Sequence, residues 1–225
     1  MSVNIINILI VDDHPMIIYA YKNLLQRIFL NDKKVNFNID SANTIDQTIN
    51  KIYFKDKNFY NIIILDIKLR PSEDKKLLSG EDLGIKIRID FKKIKIIIST
   101  TLNDNYRISS IMKSVNPDAF LVKNDISPKH LLEAIKCTLC NKPYYSSTIL
   151  DFMKKRINND FLLDNLDRRL LYELSLGAKT KDLIDVLPLS IGGIERRKRK
   201  LKKNFNLKTN NDRELIFIAK EKGYI

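Results

Sequence analysis

Cysteine and histidine are scarce in this chain, with two of each among 225 residues. Cys137 and Cys140 form a lone CxxC inside HLLEAIKCTLC, a stretch that reads as helix, and His14 and His130 each stand alone in the sequence. A thiolate or imidazole metal site wants a second ligand pair, so the cysteines are expected to be structural or incidental. No apolar stretch approaches the ~18 residues a membrane span needs. The opening MSVNIINILIVDDH has no basic segment ahead of its apolar run, which ends in two carboxylates. It does not read as a secretory signal, and a cytoplasmic protein without a membrane partner is expected. Internal repeats and low-complexity tracts are also missing.

Acid is the minority charge, 27 carboxylates against 40 basic side chains, for a net charge of +13. That excess favours a polyanionic partner. Part of it is compositional, because Lys outnumbers Arg 29 to 11 and Ile and Asn are abundant, as an AT-biased coding sequence would give. Arginine escapes that explanation, and Arg196, Arg197 and Arg199 fall within four residues. The first 148 residues carry +6 and the shorter remainder +7. Positive charge is therefore densest toward the C-terminal end.

Five short, β-rich apolar runs, at residues 6–11, 35–42, 62–65, 94–99 and 119–123, alternate with helical patterns at 15–30, 44–55, 80–90, 104–115 and 127–141. The strongest runs are continuously apolar, as parallel strands covered on both faces should be. The order predicts a (βα)5 doubly wound parallel sheet of the flavodoxin-like kind. Residues 142–163 are polar and irregular and read as a linker with at most a helical turn; a compact all-α domain is expected beyond it.

In such a sheet, functional groups gather at the carboxyl ends of the strands. Asp12 and Asp13 end the first run, Asp66 the third, Ser99 the fourth and Lys123 the fifth. Three carboxylates on one rim repel one another unless a cation is present, and a hard, oxygen-seeking Mg²⁺ fits. One carboxylate is then placed to attack a phosphoryl group, with Lys123 helping to neutralise its oxygens.

ILIVDDHP, IIILDIKL, IIIST and AFLVKND together resemble the receiver domain of bacterial two-component response regulators. The resemblance implies a receiver over residues 1–142, with Asp66 as phosphoacceptor. It gives Asp12, Asp13, Asp66 and the backbone carbonyl of Lys68 to Mg²⁺. Ser99 would follow the phosphoryl group, Phe120 would be the aromatic switch and Lys123 would contact phosphoryl oxygen. A sensor histidine kinase would be the phosphoryl donor, and the protein would accept phosphoryl and release it slowly rather than turn over as an enzyme. A haloacid dehalogenase-like phosphatase would want a second acid two residues after its nucleophile, where this chain has Lys68. The segment after Asp66 departs from the family: Asp-x-x-x-Pro is one residue longer, and a charged insertion spans 72–79, read as a surface loop with gating of the site as the rival.

Seven of the eight residues from Arg196 to Lys203 are basic. Upstream, TKDLIDVL has helical apolar spacing at Leu183, Ile184 and Leu187, with Thr180 as its cap; Pro188 stops it, and Ser190 can cap a second helix with apolar Ile194, Leu201 and Phe205. That is helix, short turn, basic helix. Residues 163–225 resemble the LuxR-type DNA-binding domain of the NarL/FixJ response regulators, which makes 143–162 the linker. Asp164 takes the helix-capping slot and Asp167 the partner slot of a capping box. Gly192 and Gly193 weaken the first turn of the basic helix, and Lys198 stands in a normally apolar slot. Glu195, Arg196 and Arg199 are expected at base edges, and Thr180, Lys181, Lys200 and Lys203 at the phosphate backbone of double-stranded DNA. The reading that results is a transcriptional response regulator switched by phosphorylation and acting as a homodimer when phosphorylated or on DNA. A phosphorylation-independent regulator whose receiver only dimerises, an aspartyl-phosphate phosphatase and an RNA-binding antiterminator remain alternatives.

Overall fold

The computed structural model describes residues 4–31, 35–56, 59–101, 104–157, 163–207, 211–221 and 224–225. Contacts divide the chain into two compact units, Met1–Leu102 with Ile111–Ile149, and Asn103–Ser110 with Leu150–Ile225.

The first unit is built on a parallel sheet of β1 (Asn4–Val11), β2 (Val35–Ala42), β3 (Ile62–Leu65), β4 (Lys95–Thr100), β5 (Ala119–Val122) and β6 (Tyr144–Tyr145), in the order β2-β1-β3-β4-β5-β6. Five helices follow the first five strands: α1 (Pro15–Asn31), α2 (Ile45–Tyr53), α3 (Gly80–Asp90), α4 (Asn105–Ser114) and α5 (Pro128–Leu139). Strand alternation sorts the apolar runs between two faces. Ile8 and Ile10, Ile62 and Ile64, Ile97, and Ala119 and Leu121 form one core cluster with Ile18, Tyr21 and Leu25 of α1 and Leu131, Ala134 and Ile135 of α5. The alternate residues Leu9, Ile63, Leu65, Ile96, Ile98 and Phe120 are just as buried, so both faces are covered. Local caps set the helix starts: Thr44 accepts from Gln47 N, Ser79 from Asp82 N and Ser127 from His130 N.

Two expectations are corrected here. The segment read as a polar linker from 143 is ordered: Tyr144 and Tyr145 pair with Ala119 and Phe120 as β6, and α6 runs over Ser147–Ile157. Ser146 N donates to Phe120 O at 3.1 Å, Ser146 Oγ accepts from Val122 N, and Ile149 and Phe152 are buried. Two tyrosines completing a sheet edge and two apolar residues three apart were enough to order a stretch whose average composition is polar. Residues 158–162 of that linker lie outside the described residues.

The helix expected at 180–187 is also absent; Asp182–Ile184 is a 3-10 turn instead. Leu183 and Leu187 are buried but Ile184 is 45% exposed, so only two of the three apolar positions face the core. Thr180 does not cap it. Lys181 holds the cap position without a side-chain bond.

In the second unit, α7 (Asn165–Ser175), α8 (Ile191–Asn204) and α9 (Asp212–Glu221) surround Leu170, Leu171, Leu174, Leu183, Leu187, Ile194, Leu201, Phe205, Leu215 and Ala219. Gly177, at φ 93°, follows α7 in the left-handed region that a side chain would strain. Ser190 caps α8 by accepting from Gly193 N at 3.2 Å. Among the described residues no helix is long and apolar enough to cross a membrane.

Candidate functional site

At the carboxyl rim of the sheet, Asp12 and Asp66 continue the ladder beyond β1 and β3: Asp12 N donates to Ala42 O and Asp66 N to Val11 O. Both side chains are buried. Lys123, the first residue after β5, places Nζ 2.6 Å from Asp12 Oδ2 and 2.6 Å from Asp66 Oδ2. The remaining oxygens have single backbone donors, His14 N to Asp12 Oδ1 at 3.0 Å and Lys68 N to Asp66 Oδ1 at 3.1 Å. Burial pulls the Lys123 pKa down, but the bonds to Asp12 and Asp66 outweigh it and the ammonium is held above the ordinary lysine value. It is therefore charged at neutral pH.

Asp12, Asp13, His14 and Asp66 each bring a ligand atom within 4.8 Å of the others. Asp13 Oδ1 is buried without a well-formed hydrogen bond, although His14 Nδ1 lies 2.7 Å away. A buried carboxylate oxygen short of donors, within a ring of three acids, fits a divalent cation with oxygen preference. The sequence treats His14 as isolated; in the fold it is part of this cluster.

Ser99 and Phe120 are both buried, on neighbouring strands. Ser99 Oγ lies 2.8 Å from the hydroxyl of Tyr21. Two contributors are missing from the sequence-based set. Tyr21 is one; its signal is a hydroxyl within the apolar stripe of α1, which demands a buried partner. Gly80 is the other, because a Cβ there would overlap the Asp66 carbonyl oxygen and sit 2.9 Å from Asp66 C and Ile67 Cα. Close packing of α3 under the phosphoacceptor candidate thus needs glycine. The insertion beside the site folds on itself: Ser72 is buried, its hydroxyl donates to Asp74 Oδ1 at 2.7 Å, and Leu77 O accepts from Ser72 N. The Ser72 hydroxyl and the Lys76 N–H hold the Asp74 carboxyl down at about 2.

The basic run on α8 separates into two sets. Arg197 Nη1 donates to Asp164 Oδ2 at 2.7 Å and to Asp167 Oδ1 at 2.6 Å. Asp164 caps α7 through Asp167 N, but the Asp167 carboxylate serves Arg197 instead of completing the capping box. Lys198, 5% exposed, donates to Thr180 Oγ1, Glu195 Oε1 and Asp212 Oδ2, and Lys202 pairs with Asp212 Oδ1 at 2.7 Å. Lys198 thus fills an apolar slot by bringing its counter-ions with it. Arg196, Arg199, Lys200 and Lys203 are all exposed. At ~100° per residue they share an arc of about 100°. Of the other candidates for DNA contact, Lys181 is exposed, whereas Thr180 and Glu195 are engaged by Lys198.

The fold has solved counterparts. A structure of two RcsB dimers bound to two parallel DNAs matches with a TM-score of 0.65 at 20% identity, over 96% of this chain and 98% of that one. RcsB from Salmonella enterica serovar Typhimurium, bound to promoter rprA in the presence of phosphomimetic BeF3−, gives 0.64 at 20% identity, over 95% and 97%. The isolated REC domain of RcsB from the same serovar, again with BeF3−, gives 0.54 at 22% identity, over 66% of this chain and 98% of that one. No family model matches the chain, and no curated protein matches its sequence. At about one-fifth identity the likeness carries the fold, a helix-covered parallel sheet followed by a helical domain, across nearly the whole chain.

Proposed function

We propose that this chain is a DNA-binding transcriptional response regulator switched by phosphorylation of Asp66. The observation that carries the reading is the ion cluster at the rim: a buried carboxylate after the central strand, two acids beside it and a charged Lys123 spanning Asp12 and Asp66. RcsB, the shared fold, is seen on DNA as dimers and with a phosphomimetic, which supports the same use here.

Chemically, an Asp66 oxygen attacks the phosphorus of a phosphohistidine on a sensor kinase, or of acetyl phosphate. The new O–P bond forms as the bond to the donor's nitrogen or oxygen breaks, leaving an aspartyl phosphate. Asp12, Asp13, Asp66 and the Lys68 carbonyl would hold Mg²⁺, which when bound neutralises phosphoryl charge. Lys123 follows the charge from carboxylate to phosphoryl oxygen, and the Ser99 hydroxyl donates to another. Phe120 rearranges with Ser99, and the altered surface shifts the population toward a DNA-competent dimer. Arg196 and Arg199 then meet base edges, with Lys200, Lys203 and Lys181 on phosphates. The protein works in the cytoplasm and releases phosphate slowly by hydrolysis rather than turning over substrate.

Intact-mass measurement after acetyl phosphate and Mg²⁺ tests this. One labile phosphoryl group is expected, absent in Asp66→Asn and nearly absent when Asp13 is replaced by Asn. A persistent adduct in Asp66→Asn refutes the assignment.

A further inference from the structure

Tyr21, 9% exposed, sits in the apolar cluster between the sheet and α1, with its hydroxyl 2.8 Å from Ser99 Oγ. The pair is sealed from solvent, since Ser99 is 1% exposed. Two hydroxyls share one hydrogen bond, so one proton lies between them and the other must go elsewhere. If Ser99 donated to Tyr21, the phenolic proton would need a second acceptor, and among the described residues no other partner of the Tyr21 hydroxyl is found. A buried donor left without a partner is strongly disfavoured. The phenol is the more acidic of the two hydroxyls and so the better donor; with Tyr21 donating to Ser99 Oγ, the proton left without a protein acceptor among the described residues is the serine's, on the strand beside β3 and Asp66, where a phosphoryl oxygen can take it.

Burial raises the Tyr21 pKa, and the fields of Asp12 and Asp66 add to it against the lowering influence of Ser99 and Lys123, so the phenol keeps its proton at neutral pH. It is a donor throughout the range in which the site works.

We propose that Tyr21 is a positioning residue of the phosphoryl switch, donating to Ser99 Oγ and thereby committing the Ser99 proton to a phosphoryl oxygen on Asp66. The role rests on Asp66 being the phosphoacceptor. No covalent bond changes: the phenol O–H, the serine O–H and the phosphoryl oxygen form a two-link hydrogen-bond chain, in which each link polarises the next. Without the phenol, Ser99 keeps its hydroxyl but loses the partner that orients it.

The test is beryllofluoride affinity of the full chain in the presence of Mg²⁺, read by ¹⁹F NMR, for Tyr21→Phe, Ser99→Ala, Ser99→Thr and each serine variant combined with Tyr21→Phe. Tyr21→Phe keeps the ring and should weaken binding about three- to tenfold, the size of one buried hydrogen bond. The same loss is expected on the Ser99→Thr background, which retains a hydroxyl. It should vanish on Ser99→Ala, where there is no proton to direct. An equal loss on Ser99→Ala, or no loss in Tyr21→Phe while the wild type binds, overturns the positioning role and leaves the Asp66 reading intact. A wild type that fails to bind beryllofluoride overturns both.

Discussion

Replacing Lys123 by Met keeps most of the stem and deletes the charge that holds Asp12 and Asp66 together. An exposed ion pair would contribute ~0–1 kcal/mol. This one is not exposed: the side chains of Lys123, Asp12 and Asp66 are 8%, 3% and 2% accessible. Removing one member of a buried pair typically costs about 3–5 kcal/mol, because the partner charge is stranded. Here two carboxylates are stranded, but each keeps a backbone donor, His14 N and Lys68 N, on its other oxygen. The loss is therefore expected near the lower end, ~3 kcal/mol at pH 7 in EDTA. Magnesium should reverse much of it, since Asp12 and Asp66 are among the residues that would hold the ion, and a ligand at 100 times its Kd stabilises by ~2.7 kcal/mol. The raised Lys123 pKa sets the window: the pair's contribution is complete below the ordinary lysine value and is lost only as pH climbs through the higher folded one. Urea unfolding followed by far-ultraviolet circular dichroism, with EDTA and with Mg²⁺, measures both quantities on the transition that Mg²⁺ shifts. A loss under about 1 kcal/mol, or the same Mg²⁺ increment in wild type and variant, would show that Lys123 is not the counter-ion of this site.

Asp212 gives a prediction of opposite sign in pH. Burial pushes its carboxyl up, but Lys198 and Lys202 outweigh it and hold it below the ordinary aspartate value, so its stabilisation is complete above about pH 4 and lost as pH falls through the folded value. The Asp212 side chain is 36% accessible, so solvent screens its pairs, and Asp212→Asn should lower the stability of the helical unit by ~1 kcal/mol at pH 7, with the difference from wild type shrinking by pH 3; urea midpoints at both values check it, and an undiminished gap at pH 3 contradicts it. On α8, Arg196→Ala should cost ~1–3 kcal/mol on a cognate duplex and relax preference at one base position. Lys203→Ala should weaken cognate and random DNA alike and reduce the salt slope by about one unit. Equal losses on both duplexes for the two variants, in binding titrations across a salt series, would mark the whole exposed face as purely electrostatic.

The sheet was readable because its signal is strong and local. Runs such as Ile62–Leu65 are short, rich in β-branched residues and apolar at every position, as a strand buried on both faces should be, and the acids and Lys123 follow directly at the strand ends. The pocket could thus be assembled from strand ends alone. What escaped depends on partners distant in sequence. Tyr21 looks like any core aromatic until Ser99, 78 residues on, supplies its hydrogen bond. Gly80 looks like a helix-start glycine until the Asp66 carbonyl is seen against it. At Thr180, helical spacing was a weak guide, because three apolar residues fit a 3-10 turn with one of them exposed as well as they fit an α-helix.

The basic run is where counting residues misleads most. Seven positive side chains in eight positions read as a uniform surface, since nothing within α8 itself distinguishes Arg197 from Arg196. The distinction comes from carboxylates elsewhere: Asp164 and Asp167 at the start of α7 take Arg197, and Asp212 at the start of α9 takes Lys198 and Lys202. Those three charges flank the buried Ile194 and Leu201 and tie α8 to α7 and α9. With that face turned inward, Arg196, Arg199, Lys200 and Lys203 lie outward together. If α8 meets DNA as proposed, a neutral replacement at Arg197 or Lys198 should weaken binding by loosening the helix from α7 and α9. The exposed charge and the paired charge share one sequence run, and the acids at the starts of α7 and α9 separate them.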